Sequence, residues 1–391
     1  MARPAKAFIA GAYEHPTRHA KDISVAQLHA DVALGALKDA GLSKNDIDGY
    51  FCAGDAPGLG GISMADYMGL KVRYSDTTDT GGSSYLVHVG HAMAAIEAGK
   101  CSVALITLAG RPKAEGMATG TRPRNYGADA PDVGFELPYS PTVVNCYANA
   151  AMRHMHEFGT TSEQLAWIKV AASHHAQHNP HAVLQNVVTV DEVVNSPMIA
   201  DPLHRLDCCV ISDGGGALIV VSPEVAKSLG DRCVKVLGQG EAIKHVNGGK
   251  VDLTYTAAVW SGPKAFEEAN LTPADMQYVS IYDSFTITVL LQLEDLGFCE
   301  KGKGGRFVAD GNLIAGQGKL PFNTDGGGLC NNHPVNRGGM TKVIEAVRQL
   351  RGEAHPAVQV PDCQLALAHG TGGNIATRMG SSTVILGRND A

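Results

Sequence analysis

Two stretches of this 391-residue chain repeat one another, and this repeat limits the possible folds more than any other feature. Ala36–Gly49 reads ALKDAGLSKNDIDG, and Ala265–Tyr278 reads AFEEANLTPADMQY, 229 positions later. Each copy has the pattern of a helix, a capped turn and the beginning of a strand. The repeat therefore predicts two similar halves built from the same unit.

A second, shorter repeat connects two glycine-rich loops with the helices that follow them. Ile96–Ala98 recurs as Ile344–Ala346, and the glycine-rich stretches Gly81–Ser84 and Gly326–His333 precede the two copies. Glycine allows the backbone to adopt positive φ and to approach another group closely. We expect the loops of the two halves to line one shared cleft.

The second loop places one histidine, His333, shortly before a helical pattern at Lys342–Arg351. A histidine between glycine-rich turns suits a reacting group, because backbone N–H groups at a loop–helix junction favour developing negative charge. Glycine-rich turns are also common, so a structural histidine explains the pattern equally well.

Composition excludes several classes of function. A formal net charge of −7 with 18% charged residues leaves no basic surface for nucleic acid. The sequence has no apolar run of the roughly 20 residues that cross a bilayer and no signal-peptide pattern, so a cytoplasmic protein is expected. Nine cysteines without CxxC spacing indicate neither a disulfide framework nor a zinc site.

Strand-like runs alternate with longer helical patterns, which predicts an α/β protein with covered sheets. Stretches at 81–99, 212–221, 281–286, 320–339, 349–354 and 369–373 together resemble the thiolase superfamily from end to end. The resemblance is nearest to its lipid-transfer-protein-type (sterol carrier protein-type) branch and to acyltransferase subunits that acetylate phloroglucinol-like substrates. It implies a five-layered α-β-α-β-α fold with halves at 1–230 and 231–391 and an inserted loop domain at about 111–205.

The resemblance also implies a ligand and partners. The expected substrate is a coenzyme A thioester, with no permanently bound cofactor and no metal. At least a homodimer is expected, together with a possible small partner protein that has a zinc ribbon and an oligonucleotide-binding-type fold. Arg111, Lys113, Arg122 and Arg124 are either ligands for coenzyme A phosphates or solvated surface charges.

The first departure from the thiolase pattern concerns the nucleophile. Counting back from Ile96 by the family's fourteen positions gives Gly82 where thiolases carry a catalytic cysteine, and residues 53–100 contain no cysteine. Ser83 and Ser84 are weak substitutes, because a serine hydroxyl needs an adjacent general base to attack an ester.

Two further departures concern proton transfer. The C-terminal catalytic cysteine of biosynthetic thiolases is replaced by His369, which can still exchange protons near neutral pH. The histidine–aspartate pair of the middle motif reads Tyr282-Asp283 here. Tyrosine can donate a hydrogen bond to an enolate, but it is a poor base at neutral pH.

The oxyanion-binding part of the pattern is retained. The resemblance implies that His333 binds the thioester oxygen, with amide hydrogen bonds from Asn331 and Asn332 beside it. Gly372 and Gly373 could add backbone N–H groups from the other side. Donors fixed where charge develops lower a barrier by several kcal/mol each, on the order of the effects measured for oxyanion holes.

A site that stabilises an enolate without an acyl-cysteine predicts retro-aldol cleavage of a β-hydroxyacyl-CoA. In this hypothesis His333 holds the enolate oxygen, and Tyr282 or His369 handles the hydroxyl proton. Ser83, with Gly82, Ser84 and Asp283, would position the substrate.

Three alternatives remain open. The first is an acyl-CoA acyltransferase that uses another thiol, for which Cys330 is the candidate because it precedes His333 by three residues. The second is a non-catalytic acyl-CoA- or lipid-binding protein, and the third is a scaffold subunit for an active paralogue. The histidines at 174, 175, 178 and 181 form either a metal site or, by default, a polar helix end.

Overall fold

The computed structural model describes residues 5–119, 142–245, 251–334, 338–373 and 379–390. The strands in these residues are β1 (Ala7–Glu14), β2 (Gly49–Phe51), β3 (Tyr74–Asp76), β4 (Val103–Gly110), β5 (Met198–Ala200), β6 (Leu203–His204), β7 (Gly214–Val221), β8 (Val234–Lys244), β9 (Tyr278–Ile281), β10 (Leu365–Gly373) and β11 (Met379–Gly387).

The helices in the same residues are α1 (Val25–Ala40), α2 (Gly61–Met68), α3 (Ser84–Glu97), α4 (Val143–Phe158), α5 (Ser162–Ala176), α6 (Val190–Val194), α7 (Pro223–Leu229), α8 (Ala258–Ala269), α9 (Thr286–Asp295), α10 (Gly304–Val308) and α11 (Gly339–Arg351). None of these described helices has both the length and the apolar character needed to cross a membrane.

The main sheet is mixed and has internal symmetry. Its strand order within the described residues is β3-β2-β4-β7-β1-β8-β11-β10-β9, and β5 and β6 form a separate pair. In the first half β1 runs antiparallel to β7, β7 antiparallel to β4, and β4 parallel to β2. In the second half β8, β11, β10 and β9 repeat the same directions. The two halves therefore share one topology, joined by antiparallel pairing of β1 with β8.

The sequence repeat is confirmed at the level of single hydrogen bonds. After α1, Ser43 donates its backbone N–H and its hydroxyl to the carboxylate of Asp46, each over 2.8 Å. After α8, Thr272 donates the same two groups to Asp275, each over 2.7 Å. Both copies thus use the same capped turn to enter a strand that runs parallel to its neighbour.

Alternating strand residues create the layers. In β4, Ala104 and Ile106 pack with residues of α3 and α11, whereas Val103 and Leu105 pack with residues of α1. In the second half Leu367 of β10 faces the opposite way, into a cluster that contains residues of α8 and α9. Helices α3 and α11 thus lie between the two halves, and the predicted five-layered α-β-α-β-α arrangement is confirmed. The predicted boundary at residue 230 stays a prediction.

Candidate active site

Glycine-rich segments from both halves meet backbone to backbone at the amino-terminal end of α3. A Cβ atom on Gly372 would overlap the carbonyl oxygen of Thr80, and a Cβ atom on Gly339 would overlap the carbonyl oxygen of Gly82. A Cβ atom on Gly81 would lie 3.0 Å from the Cα atom of Gly372. Only residues without a side chain allow this approach. Glycines of the second half thus meet the first predicted loop, but they lie at Gly339 and Gly372 and not in Gly326–His333, so the shared cleft stays a prediction.

His333 and Tyr282 lie together at this junction. Tyr282 follows β9, and His333 follows a π-helical turn at Gly327–Asn331. The centroids of the two rings are 5.4 Å apart and the planes meet at 76°, which is the edge-to-face arrangement that aromatic rings favour. The hydroxyl of Ser212 accepts the backbone N–H of His333 over 2.9 Å and fixes the chain at this point.

The His333 ring presents an unused polar atom. Its Nε2 is buried and has no hydrogen-bond partner in the part of the chain that the structure describes. Burial lowers the pKa of His333 to about 4, so the ring is neutral at neutral pH. A buried polar atom without a partner is unfavourable, and a substrate oxygen that accepts a hydrogen bond from Nε2–H would relieve this cost.

The ring of Tyr282 occupies the space beside Gly82. A Cβ atom on Gly82 would lie 2.6 Å from Cε2 and 2.8 Å from Cζ of Tyr282, and it would overlap the carbonyl oxygen of Thr371. Position 82 therefore has no room for a side chain in this loop conformation. The thiolase nucleophile, which the sequence count places here, could not be accommodated.

We expect the substitution Gly82→Cys to lower the free energy of unfolding by about 1–3 kcal/mol, because the added atoms overpack a closed junction. The substitution Ala94→Cys is a matched control, since Ala94 is exposed on α3, the helix that follows Gly82. Urea unfolding of both variants measures the difference. Equal stability of the two would show that the junction has room for a side chain.

The carboxylate of Asp283 bonds to other groups of the protein. It accepts the backbone N–H groups of Gly328 (2.8 Å) and Leu329 (3.1 Å) and pairs with Nζ of Lys342 (2.7 Å). Both Asp283 and Lys342 are buried. Asp283 was predicted to contact substrate, but these bonds hold the glycine turn that leads to His333.

Both candidate serines bond within their own loop. The hydroxyl of Ser83 donates to the carbonyl oxygen of Thr80 over 2.9 Å, and the hydroxyl of Ser84 donates to that of Gly81 over 2.7 Å. Ser84 Oγ also accepts the backbone N–H of Thr80 over 2.8 Å. These contacts stabilise the loop before α3, so the predicted roles of the two serines toward substrate gain no support from them.

The two asparagine amides next to His333 already have carboxylate partners. The side-chain amide of Asn331 donates to Asp325 over 2.9 Å, and that of Asn332 donates to Glu14 over 3.0 Å. The bond of Asn332 ties the segment after the glycine turn to the end of β1. The predicted contribution of the two amides to oxyanion binding stays a prediction.

His369 is joined to Tyr282 through the backbone. The carbonyl oxygen of His369 accepts the backbone N–H of Tyr282 over 3.0 Å. The imidazole Nδ1 lies 2.8 Å from Oγ1 of Thr383, which in turn lies 3.0 Å from the hydroxyl of Ser261 in α8. Burial lowers the pKa of His369 to about 3. The ring thus contacts the side of the sheet covered by α8, whereas the Tyr282 ring lies beside Gly82.

The predicted backbone donors Gly372 and Gly373 lie in β10, opposite Gly380 and Met379 of β11. Gly372 makes the close approach to Thr80 that joins the two halves. Their placement explains why these positions are glycine. Their role toward an oxyanion stays a prediction.

Sequence reasoning missed Lys169. This lysine is buried in α5, and its Nζ donates to the carbonyl oxygen of Leu329 (2.7 Å) and contacts Sγ of Cys330 (3.2 Å). Burial raises the pKa of the Cys330 thiol. Cys330 is therefore a packed, weakly acidic thiol, which argues against its use as a nucleophile. A lysine inside an apolar helical run, LAWIKVAA, is the signal that could have identified Lys169.

The four histidines near the end of α5 do not converge on one point. Nε2 of His175 accepts the backbone N–H of Ala315 over 2.9 Å, whereas His178 stacks on His355 with the ring centroids 4.9 Å apart.

The guanidinium group of Arg111 donates to backbone carbonyl oxygens of Ala20 and Lys21. Two of the candidate coenzyme A ligands, residues 122 and 124, lie outside the described residues.

A cavity of about 450 Å³ lies beside Thr324 and Asp325, which precede the glycine turn. Its lining includes Glu14, Arg18, Asp325, Glu345 and Arg348. Burial, reinforced by the nearby carboxylate of Asp325, raises the pKa of Glu345 to about 7. Neither ring of the candidate site belongs to the described lining of this cavity, so we define the site by the ring pair and not by the cavity.

Comparison with known proteins agrees with this geometry. A family described as thiolase C-terminal domain-like matches residues 240–388. An acetyl-CoA acetyltransferase from Methanothermobacter thermautotrophicus is 35% identical over 92% of this chain and 94% of its own. A steroid side-chain-cleaving aldolase from Thermomonospora curvata is 34% identical over 83% of this chain and 85% of its own. The solved structure of the Ltp2-ChsH2(DUF35) aldolase matches with a TM-score of 0.87 and 32% identity over 98% of each chain.

Two like halves with glycine loops around a buried histidine, together with these similarities, define the class: the chain belongs to the thiolase superfamily. It is an enzyme of this superfamily. Its similarity to the aldolases and to sterol carrier protein 2 confirms the predicted lipid-transfer-protein-type branch.

Proposed function

We propose that this enzyme cleaves the Cα–Cβ bond of a β-hydroxyacyl-CoA by a retro-aldol reaction, without a covalent acyl-cysteine. The observation that carries the proposal is the buried Nε2 of His333, which has no hydrogen-bond partner among the described residues and belongs to a ring packed against that of Tyr282. A neutral imidazole that donates Nε2–H is suited to an enolate oxygen, because a fixed donor stabilises charge only as it develops.

The reaction balances without a cofactor. The β-hydroxyl group loses its proton, its oxygen forms the carbonyl group of an aldehyde or ketone, and the Cα–Cβ bond breaks. The electron pair of that bond passes to the thioester as an enolate, whose oxygen is held by His333. Protonation at Cα then gives the shortened acyl-CoA, so the proton removed in the first step is replaced in the last.

Tyr282 is the better candidate for the group that takes the proton from the β-hydroxyl of the substrate. Its ring contacts His333, whereas the ring of His369 contacts Thr383 through Nδ1 and has no partner for Nε2 among the described residues. A group that transfers a proton must come within hydrogen-bond reach of it in the bound substrate. The position of the Tyr282 ring next to the proposed enolate site supports this role, and His369 remains the alternative.

The similarities support the same chemistry. Two of the similar proteins are named as aldolases, one of them for cleavage of a steroid side chain. A steroid-like acyl group is one candidate for this chain. A panel of β-hydroxyacyl-CoA thioesters with steroid, aryl and short aliphatic groups would identify the acyl group by its kcat/KM.

We also propose that the enzyme acts as at least a homodimer with a small partner protein. The solved aldolase named above is described as Ltp2-ChsH2(DUF35), which supports a second protein as partner; that this partner has a zinc ribbon and an oligonucleotide-binding-type fold is part of the proposal. Light scattering of the purified chain, alone and with such a candidate partner, tests both statements. A monomer that forms no complex and gains no activity would contradict them.

Acyl transfer is a second candidate, because an acetyl-CoA acetyltransferase is among the similar proteins. That reaction would need a nucleophile. Position 82 has no room for one, and Cys330 is buried with a raised pKa. Non-covalent cleavage is therefore the reaction that the site supports better.

Intact-protein mass spectrometry after brief incubation with acetyl-CoA and β-hydroxyacyl-CoA thioesters distinguishes the two candidates. We expect an unmodified protein mass, together with release of an aldehyde or ketone. A stable acyl adduct mapped to Cys330 or Ser83 would contradict the proposal and support acyl transfer.

A further inference from the structure

We propose that Lys342 is a positioning residue, which acts through Asp283 to hold His333 beside Tyr282. The proposal rests on the function proposed above, because it assigns Lys342 to the same reaction. Lys342 lies in the central helix α11, and its Nζ is 2.7 Å from Oδ1 of Asp283.

The ion pair connects the two rings of the site. Asp283 is the neighbour of Tyr282 in the chain, and it accepts the backbone N–H groups of Gly328 and Leu329 in the turn that precedes His333. One buried carboxylate thus joins the β9 end, the glycine turn and α11. Burial makes these bonds specific, because a buried charge must keep its partners.

Gly328 transmits the position of Asp283 directly to the His333 ring. A Cβ atom on Gly328 would lie 2.9 Å from Cδ2 of His333 and 3.1 Å from Oδ1 of Asp283. The open side of Gly328 therefore faces both the carboxylate and the imidazole. A shift of Asp283 would move the surface on which the ring rests.

Lys169 fixes the opposite side of the turn. Its Nζ donates to the carbonyl oxygen of Leu329, whose N–H group donates to Asp283. The peptide groups of the turn are thus held by a cation at one side and an anion at the other. Lys342 supplies the charge that allows the anion to be buried there.

The same pair acts electrostatically on His333. Beside the dominant effect of burial, Asp283 raises the pKa of His333 and Lys342 lowers it. Replacing Lys342 by methionine removes the charge that lowers the pKa of His333 and leaves the Asp283 carboxylate, which raises it. The pKa of His333 should therefore move upward in Lys342→Met, whereas Lys342→Arg should retain a value near that of the unmodified protein.

The test is histidine-selective NMR titration of the full-length protein, combined with steady-state kinetics. For Lys342→Met we expect an upward pKa shift of His333 of about one unit or more and a fall in kcat of roughly tenfold or more with a smaller change in KM. Lys342→Arg should have a His333 pKa and a kcat close to those of the unmodified protein. Lys264→Met, at an exposed position on α8, is the matched control and should leave both unchanged.

Lys342→Met leaves Asp283 buried without its partner and could fail to fold. In that case the double variant Asp283→Asn/Lys342→Met removes both charges, and the same fall in kcat is expected because the asparagine amide has one acceptor oxygen where the carboxylate uses two to hold Gly328 and Leu329. Wild-type kcat in a folded variant, with an unmoved His333 pKa in Lys342→Met, would overturn the proposal. The NMR shift requires no turnover, so an observed shift in a protein without lyase activity would reject the proposed reaction and retain the positioning role.

Discussion

Replacement of His333 by alanine is expected to lower kcat/KM for cleavage of a β-hydroxyacyl-CoA by more than about a hundredfold, the usual effect of removing one oxyanion donor. The physical reason is that Nε2 of His333 is a buried polar atom without a partner among the described residues. Its hydrogen bond would form fully only when the enolate oxygen develops. Steady-state kinetics with release of the carbonyl product measures the effect.

Folding must remain intact for this result to be informative. Circular dichroism and the urea midpoint of His333→Ala should stay close to those of the unmodified protein, because the backbone N–H bond to Ser212 is retained. His178→Ala is a matched control, since His178 stacks on His355 away from the ring pair. Unchanged activity in a folded His333→Ala protein would remove His333 from the mechanism.

Tyr282→Phe is expected to reduce kcat by on the order of a hundredfold or more, the range for loss of a positioned proton-transfer group. The substitution removes one oxygen atom and keeps the ring that fills the space beside Gly82 and contacts His333. Packing should therefore be preserved, and the loss should appear mainly in kcat.

A buried tyrosine outside the site provides the control for this substitution. Tyr50→Phe removes a hydroxyl group that lies 2.9 Å from Oγ1 of Thr107, in the outer part of the first half. Tyr50→Phe should change the free energy of unfolding more than it changes kcat. Full activity in Tyr282→Phe, together with loss of activity in His369→Ala, would transfer the proton-handling role to His369.

Local sequence was sufficient for much of the fold. In each half the end of a helix, a capped turn and the start of a strand fall within fourteen residues, and the hydrogen bonds of Ser43 and Thr272 span only three positions. Such short-range patterns are readable because helix caps and strand alternation depend on neighbouring residues. Their recurrence 229 positions apart then implied two like halves.

The partners of the site residues could not be read in this way. Asp283 bonds to Gly328 and Lys342, which are 45 and 59 positions away, and Lys169 reaches Leu329 across 160 positions. No local pattern fixes these distances. For this reason the sequence favoured Asp283, Asn331 and the loop serines as substrate ligands, whereas the structure assigns their described bonds to the protein itself.

The sequence by itself determined the family and the two-half α/β fold, because glycine loops and repeated helix–strand units leave short-range signals, and it predicted His333 as a site residue. The tertiary structure decided that Tyr282 lies against both His333 and Gly82. That contact joins residues 200 and 51 positions apart in the chain. It depends on how the two halves pack, and packing brings together side chains that share no local pattern.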